Sequence, residues 1–355
     1  VFSGKVPDIA TVAALVDEEA SGALDFDVTL KEAGGAQSVA ATLNAVKPWL
    51  ASADVSAGTL TADLDVTDAL GSPSLNADVK AENIKAAGQP LKELTVNATG
   101  DVSNIDYSFD LLRGQEPELT LAGSGALALS DAKTTLRLAA LEGAFAERDI
   151  RLTTPLIVEL AGENVKLSDF ALTFGAGSLQ GSGQLSNEVA AVDLSIKDLP
   201  IDLVELVDPA YVVSGGLDGD VTLGAKKGSP ARGSLSLKVK DIKLEDEDYG
   251  ELPTFENTLT ASLKESVLSF QGDVKGLEAT SIDVTGQIPF DISLENRNIL
   301  VNENNPVNVK LKIDSDINKI WPLLALDTQD MKGQLVANAA ISGSISAPEI
   351  TGQAR

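Results

Sequence analysis

The chain has 355 residues, 43% of them apolar and only 4% aromatic, with 53 Asp and Glu against 27 Lys and Arg and a formal net charge of −26. That content excludes general disorder, and the charge argues against nucleic acid as a partner. No Cys and no His are present, which removes thiol catalysis, structural zinc, haem and Ser-His-Asp chemistry. No apolar run approaches the length of a membrane-spanning helix. The first residue is Val1, with no signal peptide behind it, so the chain is expected to be a piece of a larger protein.

Read in chain order, the sequence opens on a helix-like run over Asp8–Ala20, with Val12, Leu15 and Val16 as its apolar stripe. Strict alternation then begins at Phe26, Val28 and Leu30 and returns at Leu60, Ala62, Leu64 and Val66, the period of a strand with one apolar face. Gly34-Gly35, Gly71-Ser-Pro73, Gly123-Ser-Gly125, Gly175-Ala-Gly177 and Gly181-Ser-Gly183 are expected hairpin turns. A second helix-like run covers Ile201–Val207, followed by Gly228-Ser-Pro230 as a turn and by the alternating Leu235, Leu237 and Val239. Two exposed loops are expected, the acidic Glu245–Glu251 and the Asn-rich Glu295–Pro306. After the alternating Val307, Val309, Leu311 and Ile313, a third helix-like run covers Ile317–Leu326. Such strand and turn lengths predict roughly 25 strands in a long antiparallel meander.

A larger unit recurs: a helix-like run, a Gly that opens a strand, a turn near Pro, and a second strand. Copies lie at 8–43, 47–84, 201–244 and 317–355, with opening glycines Gly22, Gly58, Gly216 and Gly333. Their spacing is unequal, so this is no strict solenoid; the chain is expected to be one continuous elongated segment over 1–355.

No nucleophile motif or phosphate loop appears. Asp63, Asp65, Asp218 and Asp220 stand in polar phases, as solvated strand faces require. Gly215–Asp220 has the form of a single calcium-binding nonapeptide, a motif that works only in tandem, and Glu245–Asp248 lacks calcium-loop spacing. The apolar phases admit either an ordinary two-sheet core or an uncovered lining. Few rings and many Leu, Val, Ile and Ala speak for the lining, yet the residues alone leave the two readings near even.

The phrase GQLVANAAISGSISAPEITGQAR (Gly333–Arg355) resembles the repeated pattern of the TamB family and its AsmA-like relatives. FGAGSLQGSGQLSNEVAAVDLSIKDLPIDLVEL (Phe174–Leu206) and GQIPFDISLENRN (Gly286–Asn298) resemble further blocks of the same proteins. The resemblance implies an all-β fold, a long antiparallel sheet bent lengthwise into an open trough with short helices at its edges. It implies a periplasmic location and an inner-membrane anchor outside this segment. It further implies a passive phospholipid conduit between the two membranes, a non-enzyme with no cofactor or metal, whose partners are phospholipid acyl chains. A TamA-like outer-membrane protein would dock through regions outside this segment. The lining is then expected at Leu60, Leu64, Leu127, Leu129, Leu136, Leu138, Val192, Leu194, Ile196, Leu235, Leu237, Val239, Leu335 and Ile341. Two rivals stand beside it: a scaffold or chaperone for outer-membrane proteins acting by strand pairing, and a secreted β-helix, which would need regular coils and side-chain ladders.

Overall fold

The computed structural model describes residues 1–13, 18–86, 88–206, 213–246, 250–251, 254–277, 280–295, 298–301, 303–317 and 333–355. The chain is all-β and divides into two units: Val1–Gly162 with Phe170–Gly175, and Glu163–Asp169 with Ala176–Arg355.

Unit 1 contains β1 (Phe2–Val6), the one-turn helix α1 (Ala10–Ala13), β2 (Ala20–Ala33), β3 (Ala36–Leu50), β4 (Val55–Ser56), β5 (Thr59–Thr67), β6 (Ser74–Ala86), β7 (Gln89–Asp101), β8 (Asn104–Leu112), β9 (Leu119–Leu129), β10 (Thr134–Phe145), β11 (Arg148–Thr154), β12 (Leu156–Ala161) and the end of β13 (Asn164–Phe174). Unit 2 takes the start of β13 and then β14 (Gly177–Leu185), β15 (Val189–Pro200), a 3-10 helix (Ile201–Leu206), β16 (Val213–Lys226), β17 (Ser229–Asp246), β18 (Gly250–Glu251), β19 (Phe255–Lys264), β20 (Val267–Lys275), β21 (Thr280–Pro289), β22 (Asp291–Ser293), β23 (Asn298–Leu300), β24 (Asn308–Asp316), β25 (Gln334–Gly343) and β26 (Pro348–Ala354). The ladders of both units are antiparallel, and most join strands that follow one another in sequence.

Alternation makes these strands, and turn chemistry joins them. Gly34 and Gly35 both adopt positive φ, 63° and 92°, between β2 and β3. Asp101, between β7 and β8, accepts from Ser103 N at 2.8 Å, Ser103 Oγ at 2.6 Å and Asn104 N at 2.9 Å, a side chain closing its own turn.

Several sequence expectations need correction. Gly123 and Gly125 lie inside β9, and Gly181 and Gly183 inside β14, not at hairpin tips. A glycine two residues from another is in strand period and shares its face. Of the helix-like run at Asp8–Ala20, only Ala10–Ala13 is helical among the described residues, and β2 has begun by Ala20. The run at Ile201–Val207 is a 3-10 helix over Ile201–Leu206. The run at Ile317–Leu326 lies outside the described residues beyond Ile317. The acidic loop pairs in part as strand, Glu245 with Glu251 and Asp246 with Gly250. Likewise the Asn-rich loop holds β23, paired with β22 through Ile292 and Ile299; the surrounding polar residues hide that short pairing in the sequence.

Packed interior is scarce. In unit 1, Phe145 and Phe174 meet with ring centroids 6.1 Å apart, and Ile150 is buried with them. In unit 2, Ala225, Ala231, Leu263 and Leu294 form a small core at one end of the strands, with Phe290 and Ile292 against it.

Candidate functional site

Antiparallel partners project to the same side of a sheet, so register decides whether the apolar phases of successive strands join. In unit 1 they do. One row runs Leu24–Ala45–Leu60–Ala81–Leu94–Leu111–Leu121–Gly143–Ile150–Phe174, partner by partner across ten strands. A second runs Val28–Ala41–Leu64–Ala77–Ala98–Tyr107–Gly125–Leu138–Leu156. Leu127 and Leu136 pair in a third row, and Leu129 follows Leu127 at strand period.

Unit 2 repeats the arrangement. One row is Gly181–Leu194–Val221–Leu235–Ala261–Phe270–Gly286–Val309–Ile341–Ile350. Beside it, Leu179–Ile196–Gly219–Leu237–Leu259–Gly272 continues through Val284 and Leu311. Val192 pairs with Leu223, Val239 with Leu217, and Leu335 with Ser315. The opposite face carries polar rows such as Asn44–Thr61–Lys80–Thr95–Asp110 and Ser182–Asp193–Thr222–Ser234–Ser262.

All of the residues expected as lining thus stand on the apolar phase, Leu60, Leu64, Leu127, Leu129, Leu136 and Leu138 in unit 1, the remainder in unit 2. None is buried: Leu136 is 40% and Val192 42% exposed. A sandwich core would hold such residues near zero. The others, Leu129 at 38% aside, are partly buried.

The sequence did not point to the floor between these side chains. Alanines 45, 62, 77 and 81 are buried on it. The aromatic residues Phe26, Phe109, Tyr107 and Phe270 each pair with a glycine, Gly4, Gly123, Gly125 and Gly286. Their rings occupy the space a Cβ would need; a Cβ on Gly123 would meet Phe109 Cε1 and Cζ at 2.5 Å. The rings therefore lie down across the backbone, which covers the bare glycine and keeps the face low. Tyr107 Oη donates to Arg137 O at 3.1 Å, and burial pushes its phenol pKa up.

The polar face carries the charge. Lys240 bridges Asp198 at 2.8 Å and Asp218, at a bulge where Lys197 and Asp198 stand opposite one residue of β16. Hydrogen bonds to both carboxylates raise the ammonium pKa. The Asp198 N–H, then Lys240, lowers that of Asp218. One concavity of about 770 Å³ takes in Ser182, Asp193, Thr222 and Arg232 together with Leu167, Val192 and Leu223, and another of about 530 Å³ takes in Thr260, Gln271 and Lys310. Among the described residues no cluster of acidic side chains could hold a metal, and no helix is long and apolar enough to cross a membrane.

The profile of the family described as "TamB, N-terminal domain" matches residues 7–355. No curated protein and no solved structure matches the chain.

Proposed function

Since the chain belongs to the TamB family, a transport and assembly family of the cell envelope whose members work with TamA, we propose that this segment is a stretch of periplasmic phospholipid conduit. The observation that carries the proposal is the apolar face itself, handed from strand to strand in register and left partly exposed in each unit. Contiguous exposed apolar surface on this scale marks an interaction site. Its lining is Leu, Val, Ile and Ala over a floor of glycine and flattened rings, which accepts flexible chains without demanding one shape.

The energetics suit passive transfer. An acyl chain gains about 0.8 kcal/mol per CH₂ on leaving water for an apolar lining, and a bilayer offers a similar gain. Movement between bilayer and sheet is then close to balanced, while escape into water is not. The acidic opposite face keeps the segment from adhering to anionic headgroups. Direction of flow must come from outside the segment.

Native mass spectrometry of the purified chain is the direct test. Co-isolated phospholipid, lost from Leu194→Asp and Leu237→Glu variants that remain folded, is the expected result. Folded variants that keep their lipid, or a wild type that carries none, would sink the proposal.

A further inference from the structure

Arg113 is the one charged residue in the buried set of the described chain, at 5% exposure. It continues the β8–β9 ladder, its N–H donating to Leu119 O at 2.9 Å, and Leu119 pairs in turn with Phe145. Two residues beyond Leu111, its side chain therefore rises on the apolar side, at the strand-end margin of the unit 1 face.

Its guanidinium is almost unpartnered. Nη2 reaches Gln89 Oε1 at 3.5 Å, the outer limit of a hydrogen bond, while Nε and Nη1 are buried and meet no acceptor. No ion pair to Arg113 is present among the described residues, in a chain with 53 acidic side chains. Arginine cannot relieve the cost by losing its proton, and a buried unpaired charge is strongly unfavourable. The neighbourhood adds positive charge: the stem of Lys92 lies against Gly114, where a Cβ would meet Lys92 Cδ at 2.7 Å. Gly114, Gln115 and Glu116 are exposed, so the buried charge stands within one residue of solvent.

We propose that Arg113, with Lys92 beside it, is a seat for a phosphate oxyanion, filled by the headgroup of a phospholipid whose acyl chains lie over the adjoining Leu111 and Leu119. The planar fork of a guanidinium matches phosphate oxygens, and its place on an apolar margin selects a ligand that is anionic at one end and greasy at the other. The proposal rests on the conduit function, and the test separates the two. Full-length wild type and Arg113→Met are loaded from vesicles with phosphatidylglycerol or with diacylglycerol of the same chains, and inorganic phosphate is titrated separately by ³¹P NMR.

Arg113→Met is expected to hold phosphatidylglycerol about tenfold more weakly, roughly the worth of one charge-assisted hydrogen bond. It should hold diacylglycerol unchanged and unfold no earlier than wild type, because it removes an unpaired buried charge. Equal retention of phosphatidylglycerol by both proteins, or a parallel loss of both lipids, overturns the seat and leaves the conduit standing. If wild type takes up neither lipid the conduit fails. The site then survives only as a seat for free phosphate, shown by titration of wild type but not of Arg113→Met, and absence of that titration overturns it as well.

Discussion

At the scale of single residues, the unusual feature is how often a glycine sits under a neighbour's side chain. Gly123 and Gly125 are not loop punctuation; they are the places where Phe109 and Tyr107 lie flat. Gly123→Val forces the Phe109 ring upward and should cost about 1–3 kcal/mol of stability in denaturant unfolding, the usual cost of overpacking. Gly125→Ala should cost more, since its Cβ meets the carbonyl oxygen of Arg137 as well as Tyr107, and a backbone atom cannot rotate away. The sequence contained only a partial sign of this: Gly-x-Gly at 123–125 and 181–183 is strand period, while Gly175-Ala-Gly177, of the same form, turns between β13 and β14. Arg113 was not legible, because one Arg at the end of an apolar run reads as an exposed strand terminus. Only its placement opposite Leu119 makes it buried.

At the scale of elements, strands came through clearly because alternation is a local signal, and their faces came through because register preserves it. Bulges and edge pieces did not. The bulge at Lys197-Asp198, with Asp198 at φ 42°, is held on the polar side by Lys240 between two carboxylates, a clamp assembled from β15, β16 and β17. The folded pKa of Asp218 lies below the ordinary carboxylate value. Its stabilising contribution is therefore full above the ordinary range and is lost as pH falls through the lowered folded value. Asp218→Asn should destabilise the protein at pH 7 and do so less at about pH 3, below the ordinary Asp pKa, as read by urea unfolding at both pH values. An equal effect at both would mean the clamp holds nothing. The run opening three of the four repeat-like stretches closes in a common way: Ile9 N donates to Gly22 O at 2.8 Å, Lys47 N to Gly58 O at 2.9 Å and Ile317 N to Gly333 O at 2.8 Å. That closure depends on backbone only, so no side-chain pattern announces it.

At the scale of the whole molecule, the composition is explained by a division of labour between two faces. An acidic, hydroxyl-rich face stands opposite an aliphatic face, and the proposed conduit assigns the aliphatic one to acyl chains. Leaving a lining leucine as exposed as Leu129 or Leu136, at 38% and 40%, forgoes on the order of 1 kcal/mol of burial, a cost that a lipid's acyl chains would recover. The most direct test of that claim is photocrosslinking by strand phase. A benzophenone amino acid is placed at Leu64, Leu194 or Leu235, and separately at the neighbouring polar positions Asp63, Asp193 and Ser236, in cells labelled with radioactive phospholipid precursor. Lipid adducts at the first set and not at the second are the expected result. Adducts of equal strength on both faces, or none on the apolar face of a folded protein, would contradict it.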